Sequence, residues 1–485
     1  MARGRKKESL TPEEHLQAAL VPESEQPYKV PGNWCWTYLT KGAAECLDSF
    51  RKPINASERA NREGDIPYYG ATGQVGWIDD FLTNEQLVLV GEDGAPFLDL
   101  IKDKAYIIEG KAWVNNHAHI LRSRFGAVGN LFLLHYLNIF NYHDFVNGTT
   151  RLKLTQSSMD TMPVPIPPFS EQQRIVDRIE SLFAKLDEAK EKAQAVLDSF
   201  ETRKAAILHK AFTGELTAKW REEHGVRMES WEKKRVGELC ISLKYGTAKK
   251  SDASGNVVVL RMGNLQQGEI DWSDLAYSND PDDIERYKLF PGDVLFNRTN
   301  SAALVGKTAI YRGEHPAIYA GYLIKLDYDH DKIIGDYLNY ALNTLDAKKY
   351  CNSVKTDGVN QSNINAKKIG AYSFNVPNIP EQEKIVSVIQ KLLSKEQQSK
   401  AAAEAVLDQI DLMKKSILAR AFRGELGTND PSEESAVELL RQVIEQEDGD
   451  VIRPKAKAKR IAIPAEIKPL LSGANEEAIV KLLLK

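Results

Sequence analysis

The chain lacks most of what would give it a chemistry of its own. Its 485 residues include four cysteines, Cys35, Cys46, Cys240 and Cys351, and no two stand as a CxxC pair. That excludes a cysteine zinc ribbon or a disulfide framework and leaves structural thiols in a reducing compartment. No run of 18 or more apolar residues occurs, so no membrane-spanning helix is expected. The basic N-terminus MARGRKKESLTPEE has no apolar core of the kind a signal peptide needs. A cytoplasmic protein is the expectation. An excess of one charge is missing as well: 64 Lys and Arg stand against 68 Asp and Glu, a formal net charge of −4. A nucleic-acid partner would therefore be met by local basic patches or with the help of other subunits. With 42% hydrophobic and 27% charged residues the composition is that of a soluble globular protein, long enough for two or three domains.

Catalytic signatures are missing too. Gly306-Lys307-Thr308 ends like a phosphate-binding loop, but Ser301 stands where that loop needs its first glycine. Ile166-Pro167-Pro168-Phe169 imitates a DNA amino-methyltransferase motif without the Asn or Asp that would hold the target amino group. Asp93 with Glu109-Gly110-Lys111 matches only the most degenerate nuclease pattern. His117 and His119 could face one way on a strand, yet no third metal ligand has suitable spacing. No catalytic residue, metal or cofactor is expected in this chain.

What is present is a long repeat. Residues 171–216, EQQRIVDRIESLF…AVLDSF…KAAILHKAFTGEL, return at 381–426 as EQEKIVSVIQKLL…AVLDQI…KKSILARAFRGEL. The offset of 210 holds without a gap over 46 positions, 21 of them identical. The period is too long for a solenoid and describes two half-proteins in tandem. In the first copy Ile175, Ile179, Leu182, Leu186, Ala189, Ala193, Val196 and Phe200 alternate in steps of four and three, the seam of a helix pair. The second copy reads Ile385, Ile389, Leu392, Glu396, Ser399, Ala403, Val406, Ile410, Met413 and Ile417. Each copy closes on Ala-Phe-x-Gly-Glu-Leu, with Gly214 or Gly424 suited to a C-terminal cap. A helix of about 42 residues spans roughly 63 Å and needs a partner; its own repeat, antiparallel within the chain, is the expected one, and intermolecular dimerisation is the alternative.

The expected organisation is α+β: two strand-rich mixed blocks separated by the helix pair, with an internal pseudo-twofold repeat. Residues 1–26 form an N-terminal helical arm opened by Thr11-Pro12-Glu13-Glu14. The first block runs over 27–170, with strands at 87–93, 105–114 and 118–122. Ser170 and Gln173 are expected to cap the first helix (171–216). A linker (217–230) leads to the second block (231–380), with strands at 257–265, 292–301 and 322–329. After the second helix (381–426) comes a C-terminal helix segment (427–448), its amphipathic helix AVELLRQVI at 436–444 opened by Asp430-Pro431, then a basic linker and terminal helix (449–485).

Both blocks carry Asn, Gln, Arg, Lys and Thr in glycine-punctuated loops. Amides pair bidentately with adenine edges and arginine with guanine edges, so such loops suit major-groove reading; the same residues also close turns. The candidates in the first block are Tyr69, Thr72, Gln74, Lys102, Asn115, Asn116 and His117. In the second they are Arg261, Asn264, Gln266, Asn297, Arg298, Thr299, Asn300, Ser301, Lys307, Asn360 and Gln361. Double-stranded DNA is the partner they imply, with lysines placed on phosphates.

Two variable blocks, each followed by an EQ-x-x-IV…AFxGEL helix, resemble the specificity subunit of type I restriction–modification enzymes. The opening LTPEEHLQAALVPESEQPYKVPGNW, the IPYYGATGQVGWIDD…LVLVGEDGA…WVNNHAHIL pattern and GDVLFNRTNSAALVGKTAI carry the same resemblance. It implies that each block is a target recognition domain reading one half of an asymmetric bipartite DNA sequence. It implies that the helices act as a ruler for the gap, which inserting a helical turn between Leu216 and Lys219 should lengthen. Two modification subunits using S-adenosylmethionine and two restriction subunits using ATP and Mg are the implied partners. The tail beyond about 450 departs from the family's usual ending. A stand-alone methyltransferase or nuclease, and a coiled-coil scaffold that binds no DNA, are the competing readings.

Overall fold

The computed structural model describes residues 11–359 and 361–449, so Asn360 and the tail 450–485 lie outside the described residues. The chain folds as two compact units, Met1–Ala184 with Leu412–Lys485, and Lys185–Asp411. The first unit therefore takes the start of the first long helix and the end of the second.

In the first unit Leu87–Gly91 is one of the two inner strands of a four-stranded antiparallel sheet, between Ala118–Ser123 and Ala105–Ile108, with Ala44–Cys46 outermost beside Ala118–Ser123. Leu87, Val88, Leu89 and Val90 are all fully buried, which is why this strand reads as an unbroken apolar run rather than an alternation. A second sheet orders Gly73–Ile78, Ile66–Gly70, Lys111–Val114 and Thr83–Asn84, and its central pair is parallel. In the second unit Cys240–Tyr245, Leu323–Tyr328, Val294–Asn297 and Thr308–Ile310 form an antiparallel sheet. Val257–Leu260 pairs in parallel with Ala317–Tyr319 beside it. Both units are α+β, as expected. The four thiols are structural: burial pushes Cys35, Cys46 and Cys240 up to about 12 and Cys351 to about 11, far from the range of a reactive thiolate.

The proline-rich connectors become strands. Pro163–Ile166 pairs with Cys35–Tyr38, and Ser373–Val376 with Glu232–Arg235. Proline is tolerated at 163 and 165 because only two strands pair here and alternate residues supply the N–H groups.

The long helices run over Phe169–Phe212 and Ile379–Ala421, 44 and 43 residues. Each unit shows them antiparallel. In the first, Ile175 and Ile179 share a core with Leu418, Ala421 and Phe422, and Lys414 lies over the Phe183 ring at 5.1 Å. In the second, Leu208 and Ala211 share a core with Ile385 and Ile389, and Lys400 lies over Phe200 at 5.1 Å. Glu396, which interrupts the apolar seam, is answered by Arg203 at 2.6 Å. Along the seam Ala193, Phe200, Ala403 and Ile410 are buried as expected, while Val406 and Met413 are 41% and 46% exposed.

Three local expectations change. The first helix begins at Phe169, so Ser170 is not its cap; Glu171 and Gln172 donate to the Pro168 carbonyl and Gln173 turns to Asp177. The C-terminal helix, Ala436–Gly449, covers the expected 436–444, but Asp430-Pro431 does not open it; Asp430 closes a turn onto Ser432. Residues 215–224 are not an extension of the long helix. Gly214 sits at φ 81° and a short 3-10 turn leads into the helix Ala218–His224, with Thr217 buried. An added turn there would disrupt this junction rather than lengthen a rod. By contrast the Thr11–Glu14 capping box forms as expected.

The repeated Glu-Gln pair acquires a physical role. Glu381 and Glu171 are both fully buried in the first turn of their helices. Trp231 donates to Glu381 at 2.9 Å and Trp34 to Glu171 at 2.8 Å. The glutamines that follow donate to the connector carbonyls, Gln172 to Pro167 at 3.1 Å and Gln382 to Pro377 at 2.9 Å. Each pair thereby ties a helix to the entry strand and connector of its own unit.

Candidate nucleic-acid interface

In the first unit the turn between Lys111–Val114 and Ala118–Ser123 presents Asn115, Asn116 and His117. They line a cleft of about 570 Å³ with Asn55, Arg59 and Tyr68. Asn115 makes the turn: it is buried, and its carbonyl oxygen accepts the His117 N–H at 2.8 Å. Asn116 is left exposed at the tip. His117 meets Asp93 at 2.7 Å, and Arg151 meets the same carboxylate at 2.8 Å. Asp93 is thus engaged within the fold, and Glu109 accepts from Gln86 at 2.9 Å, so the degenerate nuclease pattern is not gathered into a site. His119 is 1% exposed, with Nδ1 on Asp48 at 2.6 Å and Nε2 on the Leu154 carbonyl at 2.9 Å. Its two nitrogens serve the core.

Behind the cleft lies an ionic cluster. Arg51 joins Asp48 at 2.8 Å and also pairs with Glu92, which takes Lys153 at 2.9 Å. Burial pulls the Asp48 carboxyl up, but His119, the Ile120 N–H and Arg51 together hold it below the usual carboxylate range. For Glu92 burial likewise works upward, and Lys153 and Arg51 outweigh it. The remaining candidates are dispersed. Thr72 and Gln74 are exposed at the hairpin of Ile66–Gly70 and Gly73–Ile78. Tyr69 is half-buried, its ring 5.9 Å from Tyr106. Lys102 is exposed and pairs with Asp99 at 3.4 Å.

In the second unit several candidates hold the fold. Asn264 is buried, accepts the Arg261 N–H at 2.8 Å and donates to the carbonyls of Asp271 and Asp274. Asn297 is fully buried, with its oxygen on the Thr299 N–H. Neither amide is placed to meet a base, because each closes backbone that has no ladder partner. Arg261 meets Asp274 at 3.0 Å. Lys307 donates to Gln266 at 2.7 Å; burial and then Lys348 hold its ammonium below the usual lysine range. A strand, Thr308–Ile310, follows Gly306-Lys307 where a phosphate loop would need a helix.

The others gather. Arg298 stands over the Tyr245 ring at 4.7 Å and its N–H donates to the Tyr322 carbonyl. Thr299 accepts from Asn363 at 2.8 Å, and the short strand Thr299–Asn300 pairs with Ser362–Asn363. Asn300 turns its oxygen to the Ser301 N–H at 2.8 Å. Ser301 and Gln361 are exposed, and Tyr245 and Tyr322 are 41% and 48% exposed. The sequence reading missed Asn55, Arg59, Tyr245 and Tyr322, because what marks them is stacking or cleft position, which linear spacing does not encode.

The geometry is that of two unlike polar surfaces carried on one duplicated frame, and known proteins share that frame. Residues 45–197 and 228–405 match the family model described as the type I restriction modification DNA specificity domain. The chain is 27% identical over 283 residues to the type I restriction enzyme StySPI specificity subunit of Salmonella potsdam, an alignment covering 58% of this chain and 61% of that one. It is 27% identical over 308 residues to the EcoKI specificity subunit of Escherichia coli K12, covering 61% of this chain and 65% of that one. The alignments thus span less than two thirds of either relative. The crystal structure of the HsdS subunit from Thermoanaerobacter tengcongensis superposes with a TM-score of 0.56 at 19% identity, over 83% of this chain and all of that one, a likeness of fold. With two matched stretches that together exceed half its length, the chain belongs to the family of type I restriction modification DNA specificity domains.

Proposed function

We propose that this chain is the non-catalytic sequence-reading subunit of a cytoplasmic type I restriction–modification complex. Each block, 27–170 and 231–380, reads one half of an asymmetric bipartite DNA target, and the helix pair sets the gap. Two modification subunits bring S-adenosylmethionine and methylate adenine; two restriction subunits bring ATP and Mg and cleave. The observation that carries this reading is the contrast between frame and surface. Both units anchor their helices by the same buried Glu–Trp contact, while their exposed loops differ in sequence. A duplicated frame with unlike surfaces suits a target whose halves differ.

Half-sites about one DNA turn apart, on the order of 34 Å, lie on one face of the duplex. The test is methylated-adenine sequencing of DNA from cells making the chain with its modification subunits. A split motif is expected. Adding one heptad after Lys190 and another after Gln409, which lie level in the antiparallel pair, adds about 10.5 Å of helix at 1.5 Å per residue. The gap should grow by roughly three base pairs at about 3.4 Å each. An unchanged gap would sink the ruler, and a continuous motif would sink the two-headed reading.

A further inference from the structure

We propose that Arg59 in the first unit and Arg298 in the second each read a guanine, one in each half of the target. The inference rests on the DNA-reading function above and names the bases that two particular side chains recognise. Arg59 stacks on Tyr68 at 4.8 Å and Arg298 on Tyr245 at 4.7 Å. Stacking uses the face of the guanidinium and leaves its edge in the plane; Arg298 spends one Nη1 hydrogen on the Gly321 carbonyl at 3.3 Å, and the remaining Nη hydrogens are available for a base. That edge matches two adjacent acceptors, such as O6 and N7 of guanine in the major groove.

Three further observations single out these two. Among the described residues neither forms an ion pair, whereas Arg51, Arg62, Arg122 and Arg151 in the first unit and Arg261 and Arg312 in the second are held by carboxylates. Both are half-buried; Arg286 and Arg423, which also lie over tyrosine rings, are exposed and more distant at 5.4 and 5.7 Å. Both also stand among polar groups. Arg59 lines the cleft with Asn55, Asn115, Asn116 and His117. Arg298 has a buried Nε without an acceptor and lies next to Thr299 and Asn300 in sequence. A planar fork fixed by a ring, partly desolvated and not neutralised, is pre-organised for a planar acceptor pair. The exposed lysines are better suited to phosphates.

The experiment uses the full chain in complex with its modification subunits. Wild type, Arg59→Ala, Arg298→Ala and the corresponding Lys variants are compared by methylome sequencing and by methylation of synthetic duplexes. A guanine is expected in each half-site. Each Ala variant should slow methylation of the cognate duplex roughly 10- to 100-fold and accept other bases at one position of its own half only. The Lys variants keep the charge but lose the fork, and should relax the same position in a folded complex. Replacing that guanine by 7-deazaguanine should slow wild type and leave the Ala variant unaffected.

An equal loss on all sequences, the signature of a phosphate contact, would overturn the assignment, as would a half-site without guanine or a Lys variant of unchanged selectivity. If the wild-type complex methylates no specific sequence, the DNA-reading function itself fails, which none of the other outcomes implies.

Discussion

The buried glutamates at the starts of the two long helices occupy equivalent positions and are satisfied in different ways. Glu381 takes Arg221 at 2.7 Å, Thr217 at 2.8 Å and Trp231 at 2.9 Å, and all three donors come from one segment of 15 residues. Glu171 takes Trp34 and Asn429, each at 2.8 Å, and Thr428 at 3.3 Å, donors that are neutral and come from opposite ends of the sequence. Both carboxylates lie in the first turn of a helix, where unpaired N–H groups and the helix dipole favour negative charge. The first unit adds only neutral donors to that field; the second adds a cation. Nearby in the first unit Arg174 is spent elsewhere, on Glu433 and the Thr428 carbonyl. One family motif is thus served by two local solutions, one closed within the connector and one closed by the chain's two ends.

The sharpest way to break this comparison is Arg221→Ala. It leaves Glu381 buried without its cation and should destabilise the second unit by about 3–5 kcal/mol. Asn429→Ala in the first unit removes one neutral donor to a charged acceptor and should cost about 1.5–3 kcal/mol. Denaturant unfolding with hydrogen exchange resolved by unit would show both. Equal losses would mean that the two anchors are energetically alike despite their chemistry.

This difference also shows where sequence reading stops. The repeat, the antiparallel seam and the two strand-rich blocks could be read because identity at a fixed offset and steps of four and three survive in one dimension. The glutamate anchors could not, since Trp34 is 137 residues from Glu171 and Asn429 is 258 away. For the surfaces the obstacle is different. Asn264, Asn297 and Asn116 are the same residue type in polar stretches that read alike in one dimension, yet Asn297 ends a strand, two of the three are buried and one is exposed. An asparagine that closes a turn and one that faces solvent share the same local signature. Burial is a property of the whole fold, and only the packed sheets decide it.

A smaller effect follows from the ionic cluster of the first unit. The Asp48 carboxyl is held below the ordinary range, so its contribution to stability is present above the unfolded value of about 3.9 and is lost as pH falls through the folded one. Asp327 in the second unit is also depressed, by Lys244 and Ser242 against the upward pull of burial, but Lys244 is 58% exposed and the pair is screened. The first unit should therefore lose more protection than the second between pH 5 and the acid limit. Asp48→Asn should flatten that difference, at a cost of about 1.5–3 kcal/mol at pH 7. Parallel acid profiles of the two units in wild type would refute it.

The smallest expected effect is at the chain's start. The arm helix Pro12–Ala19 is opened by Thr11, whose hydroxyl accepts the Glu14 N–H while Glu14 reaches back to the Thr11 N–H at 2.7 Å. Leu16 and Ala19 are buried with Ala436, Leu440 and Ile444 of the C-terminal helix, and Arg441 pairs with Glu13. These contacts join the two ends of the chain in the unit whose glutamate anchor draws Trp34 from one end and Asn429 from the other. Thr11→Ala removes the cap and should destabilise the first unit by about 1 kcal/mol. The anchor at Glu381 takes no donor from either end, so the second unit should be unaffected. Faster exchange of the amides around Trp34 and Asn429 with unchanged exchange around Trp231 would establish that the chain ends close the first anchor. Equal change in both units would show that the arm acts on the whole chain and that the two anchors are not independent.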